Sequence, residues 1–254
     1  MSPPLRPVRL ASTSLFCPAG IGAGALTPGR PGPVPGFQPR SFIPDRKHIK
    51  LMGRAVQLGV AAVREALDRC PGWEAVPPER RALFVGASPQ AGDADDLRPA
   101  LDAAWDGEAL DLQRFAAEGI PRIHPLWLVR GLSNNVLGFA SAAHDMQGTN
   151  RNYCDGAEGG WTALTEAWWA VAEGRADLAV AGGADSFIGA EPIFGAPCGE
   201  GAAFAVFVAD AVGPAGAPCP CPGRGGIGLL DEELGLMGAA SWPVAWVRAR
   251  TLQT

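Results

Sequence analysis

The stretch Gly148-Thr149-Asn150-Arg151-Asn152-Tyr153-Cys154-Asp155-Gly156-Ala157-Glu158-Gly159-Gly160 decides how the rest of the chain is read. Residues 148–155 read as a strand, and glycines at 156, 159 and 160 permit a sharp turn into a helix that runs through Glu173. Downstream, Asp177–Gly183 and Gly201–Asp210 are compact apolar runs that suit buried strands. Upstream, Arg81–Gly86 is another such run, closed by glycine, and residues 7–17 form a strand that leaves into a Gly/Pro-rich loop over 20–36. Apolar residues recur at helical spacing from Met52 through Leu67, which predicts a long helix ending near Asp68. Further helices are expected over Asp93–Trp105 and Leu132–Ala143. Strands that alternate with helices imply an α/β layered fold.

Composition narrows the classes. With 254 residues, 47% hydrophobic and 19% charged, the chain is long and apolar enough to build a sizeable core. It has no apolar run of about 18 residues that would suggest a membrane span. The net charge is −5 and the cations are almost all arginine, so the basic footprint of a nucleic-acid binder is absent. No secretory leader is visible, and six scattered cysteines then point to reduced thiols in the cytoplasm. Cys219-Pro220-Cys221 has no companion pair or nearby histidine, so neither a metal nor a cofactor is expected. Residues 214–228 are low-complexity, which divides the chain into a domain over 1–213 and a Gly/Pro-rich linker with a C-terminal extension over 214–254. Trp242 and Trp246 would let that extension dock back on the domain.

Three separated pieces resemble the N-terminal half of the thiolase-fold beta-ketoacyl synthases, the carbon-carbon bond-forming enzymes of fatty acid and polyketide assembly. They are Asp45-Arg46-Lys47 running into Met52-Gly53-Arg54-Ala55-Val56-Gln57-Leu58 and Ala61 to Leu67, then Gly174-Arg175-Ala176-Asp177 through Gly182-Gly183-Ala184-Asp185, then Gly199-Glu200-Gly201-Ala202-Ala203. The resemblance covers about residues 7–210 and implies the α/β fold of that single half, layered helix-sheet-helix with a mixed five-stranded sheet. It also implies that the nucleophilic cysteine of the tight turn should stand twenty residues ahead of Asp177. Ala157 occupies that position, and a methyl group cannot attack a thioester. The family's two catalytic histidines come from its C-terminal half, and this chain has only His48, His124 and His144. That second half has no counterpart in the 254 residues.

A non-catalytic role follows as an expectation. The family contains an inactive partner, the chain-length factor of type II polyketide systems, and the chain resembles a shortened one of the aryl-polyene type. The resemblance implies a heterodimer with a ketosynthase subunit, paired through the strand before the turn, with an acyl carrier protein engaged through that partner. Asn150, Arg151, Asn152 and Tyr153 are then the interface candidates, because polar groups in a covered strand need partners. A solvated edge strand is the plainer alternative. The same resemblance makes Leu97, Leu101 and Trp105 on one helix and Leu132, Asn135 and Phe139 on the next candidate walls of the partner's acyl tunnel. An ordinary core stripe would give the same spacing. Trp161, Leu164 and Trp168 read as core, and Trp169 as a contact. Two other readings compete: an acyltransferase or thioesterase using Cys154 with His124 or His144 as base, and a homodimeric scaffold for an acyl chain or carrier protein.

Overall fold

The computed structural model describes residues 4–89, 96–210, 215–225 and 227–252. In chain order it begins with β1 (Val8–Cys17), β2 (Gly20–Ile21), α1 (Arg46–Ile49), α2 (Arg54–Asp68) and β3 (Arg81–Gly86). Short helices α3 (Arg98–Ala104), α4 (Leu112–Arg114) and α5 (Trp127–Arg130) lead to α6 (Asn135–Ala143). Then come β4 (Asn150–Tyr153), α7 (Gly156–Ala172), β5 (Leu178–Ser186), α8 (Glu191–Phe194), β6 (Glu200–Ala209) and β7 (Ala217–Pro218). The chain closes with α9 (Asp231–Leu234) and α10 (Ser241–Thr251).

The sheet has the order β2-β1-β6-β5-β3-β4, with β7 also on β1. Strand β3 lies parallel to both β4 and β5, whereas β6 is antiparallel to β5 and to β1. Alternate residues of the central strands supply two separate cores. Leu178, Val180, Phe204 and Val206 face α2 and α6, while Ala179, Ala181, Ala205 and Phe207 face α7 and α10. Burial on both faces is why these strands are almost wholly apolar. A Cβ on Gly59 of α2 would lie 2.7 Å from Val136 and 2.9 Å from Ala184, so glycine there lets α2 close on α6 and β5.

Seven strands stand where the sequence predicts five. The five expected strands are present as β1, β3, β4, β5 and β6. The additional β2 and β7 are two residues each, and β1 holds them at its edge inside segments whose Gly/Pro content reads as loop. The helix expected over Asp93–Trp105 is shorter: α3 starts at Arg98, with Pro99 in its first turn, and Trp105 ends it in an extended conformation. Residues 93–95 and the expected domain boundary at 213/214 lie outside the described residues. The helix expected from Leu132 starts at Asn135. The C-terminal extension does fold back: Val244, Trp246 and Val247 of α10 are fully buried in the α7-side core, with the Trp246 ring centroid 6.1 Å from that of Phe207.

Two ionic clusters tie the motif pieces together. Glu200, 1% exposed, accepts from Arg54 and also from the Val34 amide (2.8 Å) and Ser186 Oγ (3.1 Å). At the other end of the sheet, Asp177 accepts from Arg6 Nη1 (2.8 Å) and from Arg80 Nε and Nη2 (3.0 and 2.9 Å). The Arg80 hydrogen bonds, followed by those of Arg6, hold the Asp177 carboxyl below the usual carboxylate range.

Candidate functional site

The turn between β4 and α7 has the geometry of a nucleophile elbow. Gly156 sits at φ +48°, a left-handed conformation that a Cβ would strain, and it opens the helix just past the end of β4. Ala157 is therefore the second residue of a 17-residue helix. A nucleophile there would sit at the positive end of the helix dipole. Close packing fixes the turn. A Cβ on Gly159 would lie 2.7 Å from the Tyr153 carbonyl oxygen, and one on Gly86 would lie 2.3 Å from the Gly160 nitrogen. The C-terminal extension presses on the same place, since Cβ atoms on Gly160 and Gly183 would lie 2.0 and 2.1 Å from the Ala239 carbonyl oxygen.

Beside the turn, Asp185 at the end of β5 is 2% exposed and accepts from Ser88 Oγ, the Ala239 amide (3.1 Å) and its neighbour's amide at Ser186 (3.2 Å). Burial pushes its carboxyl up to about 6. The sequence marks Asp185 only as part of a motif and gives no sign that it pins the 238–240 turn.

Strand β4 forms one edge of the sheet, paired to β3 from Leu83↔Asn150 to Gly86↔Tyr153. Asn150 and Arg151 are exposed, while Asn152 and Tyr153 are half-buried. Asn150 Nδ2 donates to the Met146 carbonyl (2.9 Å). Asn152 Oδ1 and the Tyr153 hydroxyl are enclosed and have no hydrogen-bond partner. Burial, with Glu166 nearby, raises the Tyr153 phenol above its ordinary pKa. Cys154 is exposed and takes a contact from Asn152 Nδ2 at 3.0 Å. The two histidines considered as its base are engaged elsewhere: His124 Nδ1 accepts from the Leu126 amide (3.1 Å), and the His144 ring lies edge-on to Trp73 at 5.8 Å.

The six tunnel-wall candidates separate. Leu101 and Trp105 are 41% and 52% exposed and Leu97 is half-buried, so this stripe is not core; α3 buries Ala100, Ala103 and Ala104 instead. Leu132 is 51% exposed beside a surface hollow with Trp127 and Leu128. Asn135 spends its amide on the Val129 and Arg130 carbonyls (2.5 and 3.3 Å), bracketing α5 to α6. Phe139 lies between two cavities that share His48, one of about 230 Å³ with Met52, Arg64 and His144, the other of about 400 Å³ with Asn135. Leu164 is buried as expected, Trp161 and Trp168 partly so, and Trp169 is 39% exposed. Among the described residues no His, Cys, Asp or Glu cluster is placed to hold a metal ion, and no helix is long and apolar enough to cross a membrane.

No family model matches the chain, and no curated protein matches it by sequence. Solved structures do. The ishigamide ketosynthase/chain length factor superposes with a TM-score of 0.66 at 21% identity, over 81% of this chain and 59% of that one. A chain of AntDE:AntF, a type II PKS acyl-carrier protein in complex with its ketosynthase bound to the hexaketide, gives 0.62 at 14% identity over 81% of this chain and 63% of that one. A beta-ketoacyl synthase from Burkholderia phymatum STM815 gives 0.61 at 19% over 80% and 59%. The chain thus spans less than two thirds of the length of these structures, and over that span its fold is that of the ketosynthases and chain length factors.

Proposed function

We propose that the chain is a non-catalytic, chain-length-factor-like subunit that pairs with an active ketosynthase and shapes its acyl tunnel in polyketide or polyene assembly. The observation that carries this is Ala157, a methyl at the second position of a helix whose turn is otherwise built to present a nucleophile. The edge of β4 supports pairing, because it is the last strand in the sheet order, and Asn152 Oδ1 and the Tyr153 hydroxyl, unpaired within the chain, would gain partners if their side chains turned out to an added strand. Arg151, exposed on the same strand, adds a charge that selects between a second copy and a different chain. The exposed apolar side chains of Leu101, Trp105 and Leu132 are available to wall a tunnel that the partner completes. Leu97, Asn135 and Phe139 complete that wall set, and the carrier protein is engaged through the partner.

Co-expression with a type II ketosynthase tests the proposal. Copurification as a one-to-one complex is expected, with a change in product length when Trp105 or Phe139 is replaced by alanine. Turnover by the purified chain without a ketosynthase would sink it.

A further inference from the structure

Residues 217–225 and 227–243 meet α7 at three levels. The Cys219 carbonyl accepts from Trp168 Nε1 at 2.8 Å, Arg224 lies against Trp161, and Pro243 occupies the space where a Gly160 Cβ would point. At the middle level the Arg224 guanidinium carbon is 4.8 Å from the Trp161 ring centroid and 4.3 Å from that of Trp242. The two indoles are 5.8 Å apart and inclined by 58°, so the cation touches two ring systems that close on it from different directions. Arg224 Nη2 also donates to Glu158 Oε2, and Trp242 Nε1 donates to Oε1 of the same carboxylate at 3.3 Å. The Arg224 hydrogen bond holds the Glu158 carboxyl below its ordinary pKa. Arg224 Nε is enclosed and has no hydrogen-bond acceptor, which leaves the ring faces as its electrostatic partners.

Two indole rings and a carboxylate around one cation make a recognisable binding chemistry, and a guanidinium suits it better than an ammonium because it is planar and weakly hydrated. The cation arises from Pro222-Gly223-Arg224-Gly225, which forms no helix or strand of its own. The carboxylate arises from the residue after Ala157.

We propose that Trp161, Trp242 and Glu158 form a guanidinium-binding site, filled in cis by Arg224, that clasps the 217–225 strap beside the first turn of α7. Its location gives it a role independent of any partner: Glu158 follows Ala157 in the first turn of α7, so the clasp ties the strap to the start of that helix. Opening the clasp frees the strap and leaves a cage able to take another guanidinium or a quaternary ammonium group.

Hydrogen exchange on the full chain tests the clasp. In Arg224→Ala, exchange of the 217–225 amides should rise about tenfold while β5 and β6 keep their protection, which also shows that the variant folds. Arg224→Lys retains the charge but not the planar stack, so it should leave most of that rise in place. Tetramethylammonium chloride should change the tryptophan fluorescence of Arg224→Ala saturably, and the response should vanish when Trp161→Ala is added. Unaltered exchange in Arg224→Ala, full restoration by lysine, or a response to tetramethylammonium no larger than to sodium chloride at equal ionic strength would each overturn the assignment.

Discussion

Arg54 and Glu200, 146 residues apart in sequence, meet as an ion pair at 2.5 Å whose carboxylate is 1% exposed, with the guanidinium 4.7 Å above the Phe37 ring. The pair joins the start of α2 to the start of β6 and carries the 34–37 loop with it through the Val34 amide. Arg54→Ala strands the buried carboxylate on two neutral donors and should cost about 3 kcal/mol. Replacing both partners with apolar residues removes the uncompensated charge and should recover part of that loss. Urea unfolding midpoints of the two single variants and the double variant measure the coupling.

Asp177 gives a pH signature of one sign. Its carboxyl is held below the usual range by Arg80 and Arg6, so the folded state binds its proton less readily than the unfolded chain does. The stability it contributes is complete above the unfolded carboxylate pKa of about 3.9 and is lost as pH falls through the lower folded value. Asp177→Asn should therefore destabilise the chain at neutral pH, and the difference from the parent should vanish toward pH 2 in thermal unfolding scans.

Asp185 gives the opposite sign. Its folded carboxyl titrates near 6, above the unfolded value, so between about 3.9 and 6 the folded state binds more protons and stability falls as pH rises. Its contribution is greatest below that window. Asp185→Asn keeps the size of the side chain and one acceptor oxygen for the Ala239 amide, and should flatten the stability profile across that window. A profile with the parent's slope would show that the carboxylate is not the group responsible.

The reading of the sequence succeeded where burial on two faces or on one helical stripe left a pattern. The apolar runs of β3, β5 and β6 and the spacing of Val56, Val60 and Val63 in α2 mark elements whose cores are visible in composition. Periodicity does not mark a core stripe at α3, where Leu97, Leu101 and Trp105 repeat every fourth residue but Leu101 and Trp105 are exposed and Leu97 is half-buried. The helix instead packs through Ala100, Ala103 and Ala104, and the Ala100 carbonyl oxygen would lie 2.8 Å from a Cβ on Gly119. Close approach of backbone selects small residues inside and sends the large ones out. The Gly156 turn could be read from its glycines, and the position of Ala157 only from the resemblance, counted back from Asp177. The Arg224 cage could not, because its four members lie on three segments and the arginine sits in a Gly/Pro-rich stretch without pattern.

The β4 edge yields a prediction with two readouts that move in opposite directions. In the isolated chain the Tyr153 hydroxyl is enclosed and unpaired, so Tyr153→Phe removes an uncompensated polar group and should leave stability unchanged or raise it by about 1 kcal/mol. In a complex where the Tyr153 side chain turns out to an acceptor on the partner, the same change removes a hydrogen bond and leaves that acceptor unpaired, so affinity should fall roughly tenfold. Arg151→Ala, at an exposed position, should spare the isolated chain and weaken the complex more strongly as salt is lowered, since the lost attraction is then least screened. Thermal unfolding of the chain alone and titration against the ketosynthase separate the two effects. A Tyr153→Phe variant that loses stability alone and binds as the parent does would mean that the hydroxyl is satisfied within the fold and that β4 pairs with nothing through it.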